Sequence, residues 1–153
     1  MDIPFLGRWR KRHGSAFGVA VFPEGGEERE DPAERREGLA DLLAECELLR
    51  SQAAEAGVRL DDSAASLEAL DQLPPRWRED AETLPRLGND AGLYLGTVVV
   101  RTVPGADWRI LPTGAPVVRL ASGREIDVVT AGQEWAVSGV PELSQVYAEA
   151  AEP

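Results

Sequence analysis

Few residues in this 153-residue chain have side chains suited to nucleophilic chemistry. His13 is the only imidazole and Cys46 is the only thiol. A serine or cysteine nucleophile needs a base beside it, and His13 lies in an N-terminal segment that we expect to extend from the folded body. Cys46 falls on the apolar stripe of a predicted helix, which favours a buried hydrophobic role over a reactive thiol. The sequence therefore argues against a Ser-His or Cys-His enzyme.

One pair of carboxylates has a spacing that suits acid-base chemistry. Glu125 and Asp127 lie two positions apart, so on a strand they would share one face, as a carboxylate-based hydrolase requires. Arg119 and Arg124 belong to the same predicted hairpin and would neutralise this pair. The pattern therefore favours a charge-paired, solvated face over an active site.

The adjacent acids Asp61 and Asp62 precede a predicted short helix. Acids in this position are typical helix caps, although their oxygens could also contribute to a cation site. The sequence contains no Walker loop, no dinucleotide-binding glycine motif, no H-E-x-x-H and no Cys/His ligand set. We therefore expect no cofactor and no metal.

Tryptophan beside arginine is a second kind of candidate, because these residues often anchor protein interfaces. Trp9 is followed directly by Arg10, Lys11 and Arg12, in a segment with no obvious core to join. Trp77 lies between two arginines just after two prolines. We predict that these five residues contact another protein, with Trp77 as the secondary contact.

The N-terminal segment leaves several interpretations open. Its basic cluster precedes an apolar run at 16–22, an order that resembles a signal peptide, but the run is minimal and Pro23 and Glu24 follow at once. An arm that adds a short strand to the body is a second interpretation. A third is an arm that binds an acidic surface of a partner, of a second copy or of a membrane. The Gly/Glu-rich string at 23–31 reads as a solvated linker, so we expect an arm and linker at 1–30 and one folded domain at 31–153.

Charge and length limit the classes of partner and fold. The chain has 16 basic and 27 acidic residues, and its net charge of −11 disfavours nucleic acid as a partner of the folded body. Its length suits one domain, and 43% hydrophobic residues can fill a core without disulfides or metals. A single cysteine suits a reducing compartment, so we expect a cytoplasmic protein. No apolar run reaches the ~20 residues that cross a membrane.

The first half of the chain reads as helical. A helix is predicted over about 32–56, because apolar residues recur at spacings of three and four and Gly57 can take the left-handed conformation that ends a helix. A shorter helix is predicted over 64–73, where the prolines that follow stop it. We expect a further break at Gly88 and Asn89.

Residues 91–103 give conflicting signals. Their β-branched residues favour a strand, whereas several apolar positions also share one helical face. Gly92 and Gly96 have the small-xxx-small spacing that would let a second element approach closely if the segment is a helix. Local propensity alone leans to a strand.

The last third reads as a meander followed by helices. Strands are predicted at 108–111, 117–120 and 124–128, with turns between them. A helical stretch containing Trp135 follows, and Pro141 opens a last helix. Trp108 and Trp135 fall in these patterned segments and are predicted to be core residues.

The chain from Ser66 to Ala150 is similar to a group of small actinobacterial (Streptomyces-like) proteins that carry a domain of unknown function. The similarity is carried by SLEALDQL, LGNDAGLYLGTVVVRTVPGADW, PVVRLASGREIDVV and PELSQVYAEA, and it extends over about 32–150. In related domains a helix through YLGxV leads by a Gly-Ala-x-Trp turn into a three-stranded meander. The resemblance therefore implies a helix over about 85–102, against local propensity, and it implies no activity.

Together these patterns predict an α+β fold, with N-terminal helices packed on a small three-stranded antiparallel meander and closed by C-terminal helices. The leading functional hypothesis is a non-enzymatic protein-interaction module. The first alternative is an acidic inhibitor or immunity-type protein that masks a basic toxin or a nucleic-acid-binding surface. A small carboxylate-based hydrolase is the second, and a membrane-surface role of the arm is a weaker one.

Overall fold

In the computed structural model of the chain, residues 32–73 and 80–152 are described. Within these ranges the elements are α1 (Pro32–Leu43), α2 (Glu47–Glu55), α3 (Ala64–Asp71), α4 (Leu84–Thr102), β1 (Asp107–Ile110), β2 (Pro116–Arg119), β3 (Glu125–Ile126), α5 (Val128–Ser138) and α6 (Leu143–Ala151). The architecture is α+β, with N-terminal helices, then the meander, then C-terminal helices, as the sequence predicts.

Helix α4 is the centre of the structure. Every residue from Leu87 to Val99 is buried, because helices and strands pack around the whole circumference of α4. This helix confirms the prediction drawn from the resemblance, against the strand that local propensity favours. The break expected at Gly88 and Asn89 is wrong, since both residues lie inside α4.

One face of α4 is a glycine stripe, which consists of Gly88, Gly92 and Gly96. The backbone of α5 crosses directly over Gly92. At the same crossing, Gly132 of α5 faces the backbone of Gly88 and Gly92. The indole of Trp108 lies on Gly96. A Cβ atom at Gly92 or Gly132 would overlap backbone atoms of the opposite helix, so these glycines set the close approach of α4 and α5.

The helix predicted over 32–56 is interrupted. The backbone of Cys46 has φ 42°, in the left-handed region, and α1 and α2 are separate helices on either side of it. Gly57, with φ 84°, follows the end of α2 as predicted. The short helix α3 begins after Ser63, whose hydroxyl accepts the backbone N–H of Ser66 at 3.2 Å.

The three strands form an antiparallel sheet in the order β1-β2-β3. Trp108 faces Val118 in the first pairing, and Val118 faces Ile126 in the second. Both Trp108 and Trp135 are buried, which confirms them as core residues. The third strand is shorter than predicted, since it ends at Ile126.

Candidate functional site

The five residues predicted to contact a partner lie outside the described residues. They are Trp9, Arg10, Lys11, Arg12 and Trp77. Their role stays a prediction.

The carboxylates Glu125 and Asp127 do not form a pair on one strand face. Glu125 lies on β3, and its carboxylate forms an ion pair with the Nε atom of Arg109 at 3.5 Å. Asp127 lies beyond the strand and is the N-cap of α5, where its carboxylate accepts the backbone N–H and the hydroxyl of Thr130 at 3.1 and 2.8 Å. The predicted face is therefore wrong, because the chain turns into a helix where the sequence pattern continues the strand.

The acids Asp61 and Asp62 have separate structural roles. Asp61 accepts hydrogen bonds from the hydroxyl and backbone N–H of Ser63, and the hydroxyl bond is the main cause that lowers the pKa of Asp61. The carboxylate of Asp62 forms ion pairs with two guanidinium groups. Its Oδ1 atom lies 3.1 Å from Nη2 of Arg50, and its Oδ2 atom contacts Nη1 of Arg101. These contacts use the oxygens that a cation would need.

Cys46 is a buried structural residue, as predicted. It is 4% exposed, and its thiol donates weakly to the carbonyl oxygen of Asp90 at 3.4 Å. Burial raises the pKa of the Cys46 thiol well above its usual value, and the nearby Asp90 carboxylate raises it further. A thiol held protonated in this way is a poor nucleophile at neutral pH.

Opposite its glycine stripe, α4 has a polar stripe made of Asp90, Tyr94, Thr97 and Arg101. At 100° per residue these four positions fall within about 60° of the helix circumference. Asp90 accepts the backbone N–H of Leu49 at 3.1 Å and so caps α2 from a distant part of the chain. The polar stripe therefore holds the N-terminal helices against α4.

Tyr94 is fully buried at the middle of the polar stripe. Its hydroxyl accepts the backbone N–H of Asp62 at 2.8 Å and lies 2.6 Å from the hydroxyl of Ser66, which in turn donates to the Ser63 carbonyl at 2.6 Å. Burial raises the pKa of Tyr94, against the opposing effect of its hydrogen bonds. The phenol is therefore a neutral structural group at physiological pH.

Arg50 uses its whole guanidinium group inside the molecule. It donates to the carbonyl oxygens of Ala44, Glu45 and Leu60 at 2.9, 3.1 and 2.9 Å, and it lies 5.2 Å from the centre of the Tyr94 ring. Two of these carbonyls belong to the break between α1 and α2. Arg50 therefore stabilises the interruption that separates the two helices.

Thr97 is the exception on the polar stripe. Its side-chain oxygen is buried and has no hydrogen-bond partner among the residues that the structure describes. The other three residues of the stripe bond to Leu49, to Asp62 and to Ser66, which lie outside α4, so the stripe as a whole is a structural network.

Asp71, at the end of α3, is a second internal anchor. Its carboxylate accepts the Trp135 indole N–H and the Leu143 backbone N–H, both at 2.9 Å, and the backbone N–H and hydroxyl of Ser144 at 3.1 and 2.6 Å. One side chain therefore caps α6 and fixes α5 at the same time.

Exposed apolar surface is concentrated at the end of α5. Val137 and Val140 are 64% and 69% exposed, and they are the two large hydrophobic residues exposed in the described part of the chain. The Ser138 hydroxyl holds Val140 in place through its backbone N–H and carbonyl at 3.3 and 3.2 Å. We name this surface the α5–α6 corner and define it by Glu134, Val137, Ser138, Val140 and Glu142.

The α5–α6 corner also has a distinct charge. Residues 125–153 contain six acidic residues and no lysine or arginine. Glu134 precedes Val137 by three positions, so the two lie on the same face of α5, and Glu142 begins α6. The corner therefore combines exposed apolar side chains with the exposed carboxylates of Glu134 and Glu142.

Sequence analysis missed this corner because valine in a patterned helix is normally assigned to the core. A signal was available in the absence of basic residues after Arg124. Charge alone does not reveal which apolar residues face outward, since that depends on the side of α5 that packs on α4.

In 32–73 and 80–152 no group of three or more His, Cys, Asp or Glu side chains is arranged to hold a metal ion. In the same ranges no helix has the length and apolar character needed to cross a bilayer.

Comparison with known proteins gives one match. A family model described as "Family of unknown function (DUF6278)" matches residues 1–153, including those outside the described ranges. No curated protein and no solved structure matches the chain. The match agrees with the expected domain of unknown function.

Proposed function

Because the chain belongs to the DUF6278 family, whose description assigns no function, we propose its function from the surface and the sequence: it is a protein-interaction module. Trp9, Arg10, Lys11 and Arg12 contact an acidic surface of a partner, with Trp77 as the secondary contact. The α5–α6 corner contacts a basic segment that carries apolar side chains.

The observation that supports this proposal is the exposure of Val137 and Val140, with the exposed acids Glu134 and Glu142 close to them in the sequence. Apolar side chains exposed together favour association, because covering them removes apolar area from water. Negative charge around them selects a basic partner and speeds its encounter. Full burial of one valine side chain contributes roughly 1.5–3 kcal/mol, enough for both to act as anchors.

An inhibitor that masks a basic toxin or a nucleic-acid-binding surface is the narrower form of this function. The six acidic residues of 125–153 favour it, because negative charge attracts a basic partner. The association rate with such a partner should fall steeply as salt rises, whereas an apolar partner would bind at a rate that salt hardly changes.

We also infer a cytoplasmic location and an actinobacterial source. Only one cysteine is present, which suits a reducing compartment. Lys11 is the only lysine among 16 basic residues, a bias typical of GC-rich genomes. For the organisation of the chain, we propose an arm and linker at 1–30 and one domain at 31–153.

The test is quantitative affinity capture from the native host with four full-length proteins. They are the wild type, a corner variant (Val137→Ser with Val140→Ser), an arm variant (Trp9→Ala with Arg10→Ala) and a control with two exposed residues changed elsewhere (Arg59→Ser with Glu68→Gln). We expect one protein to be captured stoichiometrically by the wild type and the control, and at least about tenfold less by the corner variant.

Equal capture by the wild type and both surface variants would contradict the proposal. Loss with the arm variant alone would restrict recognition to the arm. Circular dichroism of all four proteins checks that the substituted chains remain folded, which we expect because the substituted residues of the described part are exposed.

A further inference from the structure

We propose that the basic segment Arg8–Arg12 of the chain docks on the α5–α6 corner of the same molecule. The contact would hide two surfaces that the proposed function uses, so it regulates that function. This inference therefore rests on the proposed function for its biological role, but the contact itself can be measured without a partner.

Charge complementarity is the first argument. Residues 8–12 (RWRKR) contain four basic residues and one tryptophan, in a chain whose net charge is −11. The corner offers the opposite charge through its two exposed acidic residues, Glu134 and Glu142. A like charge elsewhere on the body, such as that of Arg119 on the sheet, would weaken docking there.

Apolar complementarity is the second argument. The corner exposes Val137 and Val140, and the Ser138 hydroxyl bonds the backbone of Val140. Trp9 is the aromatic residue within the basic segment, and an indole has a large apolar surface flanked here by guanidinium groups. A segment of this composition suits a surface that offers both exposed apolar side chains and exposed carboxylates.

Reach is the third argument. Nineteen residues, 13–31, separate the basic segment from the start of α1, and their maximum extended length is roughly 60–70 Å. A folded body of this size has a radius of gyration of about 14 Å. The basic segment can therefore reach any face of its own body.

The covalent tether favours a contact within one molecule over a contact between two copies. A tethered segment acts at an effective concentration on the order of 1 mM. A contact with a Kd of about 0.1 mM between separate molecules would then be about 90% occupied within one. Dilute protein would thus keep this contact while losing any contact between copies.

The experiment is paramagnetic relaxation enhancement on the full chain. Ser15→Cys provides an attachment site for a nitroxide, three residues after Arg12. Cys46 is 4% exposed with a raised thiol pKa, so it stays unmodified under native conditions at pH 7. We expect the backbone amide signals of 134–142, apart from Pro141, which has no N–H, to lose at least about half of their intensity in 20 mM salt and to recover in 0.5 M salt.

Two charge-reversal variants that change the net charge of the chain by the same amount provide the matched comparison. Glu134→Lys lies in the corner and Glu55→Lys lies on exposed α2. We expect Glu134→Lys to restore the signals of 134–142 and Glu55→Lys to leave them broadened. The Val137→Ser, Val140→Ser variant should also restore them without changing the charge.

Three results would overturn the inference. One is broadening spread evenly over all acidic surfaces, and another is broadening that survives Glu134→Lys. The third is broadening of isotope-labelled chains that carry no nitroxide when they are mixed with unlabelled, nitroxide-bearing chains, which would assign the contact to a second copy. Partner capture measures the proposed function separately, so a failure of one leaves the other measurable.

Discussion

Single carboxylates connect distant parts of this chain, and Asp71 is the clearest example. Its two oxygens accept four hydrogen bonds from Trp135, Leu143 and Ser144. Those residues lie 64–73 positions further along the sequence. Asp71 therefore closes the C-terminal helices onto α3, which no local sequence signal predicts.

We expect Asp71→Asn to lower the free energy of unfolding by roughly 3 kcal/mol, because an amide nitrogen would face backbone N–H donors that need an acceptor. Urea denaturation of the full chain measures this change. Asp127→Asn is the matched control: it caps α5 within a single turn, where asparagine caps as well as aspartate, and it should cost only a few tenths of a kcal/mol. Equal losses of unfolding free energy in the two variants would contradict the role of Asp71 as an anchor between distant helices.

Tyr94 makes stability depend on pH in the alkaline range. Its pKa is raised above the ordinary value of about 10, chiefly by burial, so the folded state resists ionisation that the unfolded chain allows. The stabilisation by the neutral phenol is complete below the unfolded pKa and is lost as pH rises through the folded pKa.

We therefore expect Tyr94→Phe to cost about 1–3 kcal/mol at pH 7, because Asp62 and Ser66 lose their partner. The difference from the wild type should shrink above pH 10. Chemical denaturation between pH 7 and 11 tests this, with Tyr147→Phe as the control. A difference that stays constant with pH would show that the Tyr94 phenol ionises equally in both states.

At the scale of elements, α4 is shaped by two opposite stripes. The glycine stripe lets α5 approach closely, and the polar stripe binds α2 and the residues before α3. The segment is also rich in β-branched residues, with six of them between Thr97 and Val103. Local propensity at 91–103 therefore leaned to a strand, and only the resemblance indicated a helix.

The interruption between α1 and α2 shows a different limit of sequence reasoning. The apolar spacing that predicts one helix over 32–56 continues through Cys46, because both helices pack on α4. The groups that stabilise the break are the Asp90 carboxylate and the Arg50 guanidinium. Their effect depends on tertiary contacts, so the order of elements was predictable and this break was not.

Gly132 tests the close crossing of α4 and α5. A Cβ atom there would overlap the Gly92 amide and the Gly88 carbonyl, which cannot move without separating the helices. We expect Gly132→Ala to lower the free energy of unfolding by at least about 3 kcal/mol, although alanine favours helix. Thermal and urea denaturation measure this loss.

Gly38 provides the control for that substitution. It also lies inside a helix, but an added Cβ atom would meet nothing within 4 Å. Gly38→Ala should therefore stabilise the protein by up to about 1 kcal/mol through helix propensity alone. A similar gain from Gly132→Ala would contradict the tight crossing.

At the scale of the whole molecule, excess negative charge opposes folding. The net charge is −11, and the folded state brings these charges closer together than the unfolded chain does. Ion pairs such as Arg109 with Glu125 compensate locally, but exposed pairs of this kind contribute little. Screening by salt should therefore stabilise the fold.

We expect the midpoint of thermal unfolding to rise by about 2–4 °C between 20 and 300 mM sodium chloride, corresponding to roughly 1 kcal/mol. The variant Glu68→Lys with Glu82→Lys changes two exposed acids and reduces the net charge by four units. It should be more stable than the wild type in 20 mM salt and respond less to added salt. If salt instead lowered the midpoint in both proteins, ion pairs such as that of Asp62 with its two arginines would outweigh the general repulsion. The comparison thus decides which of the two electrostatic effects governs the stability of the whole molecule.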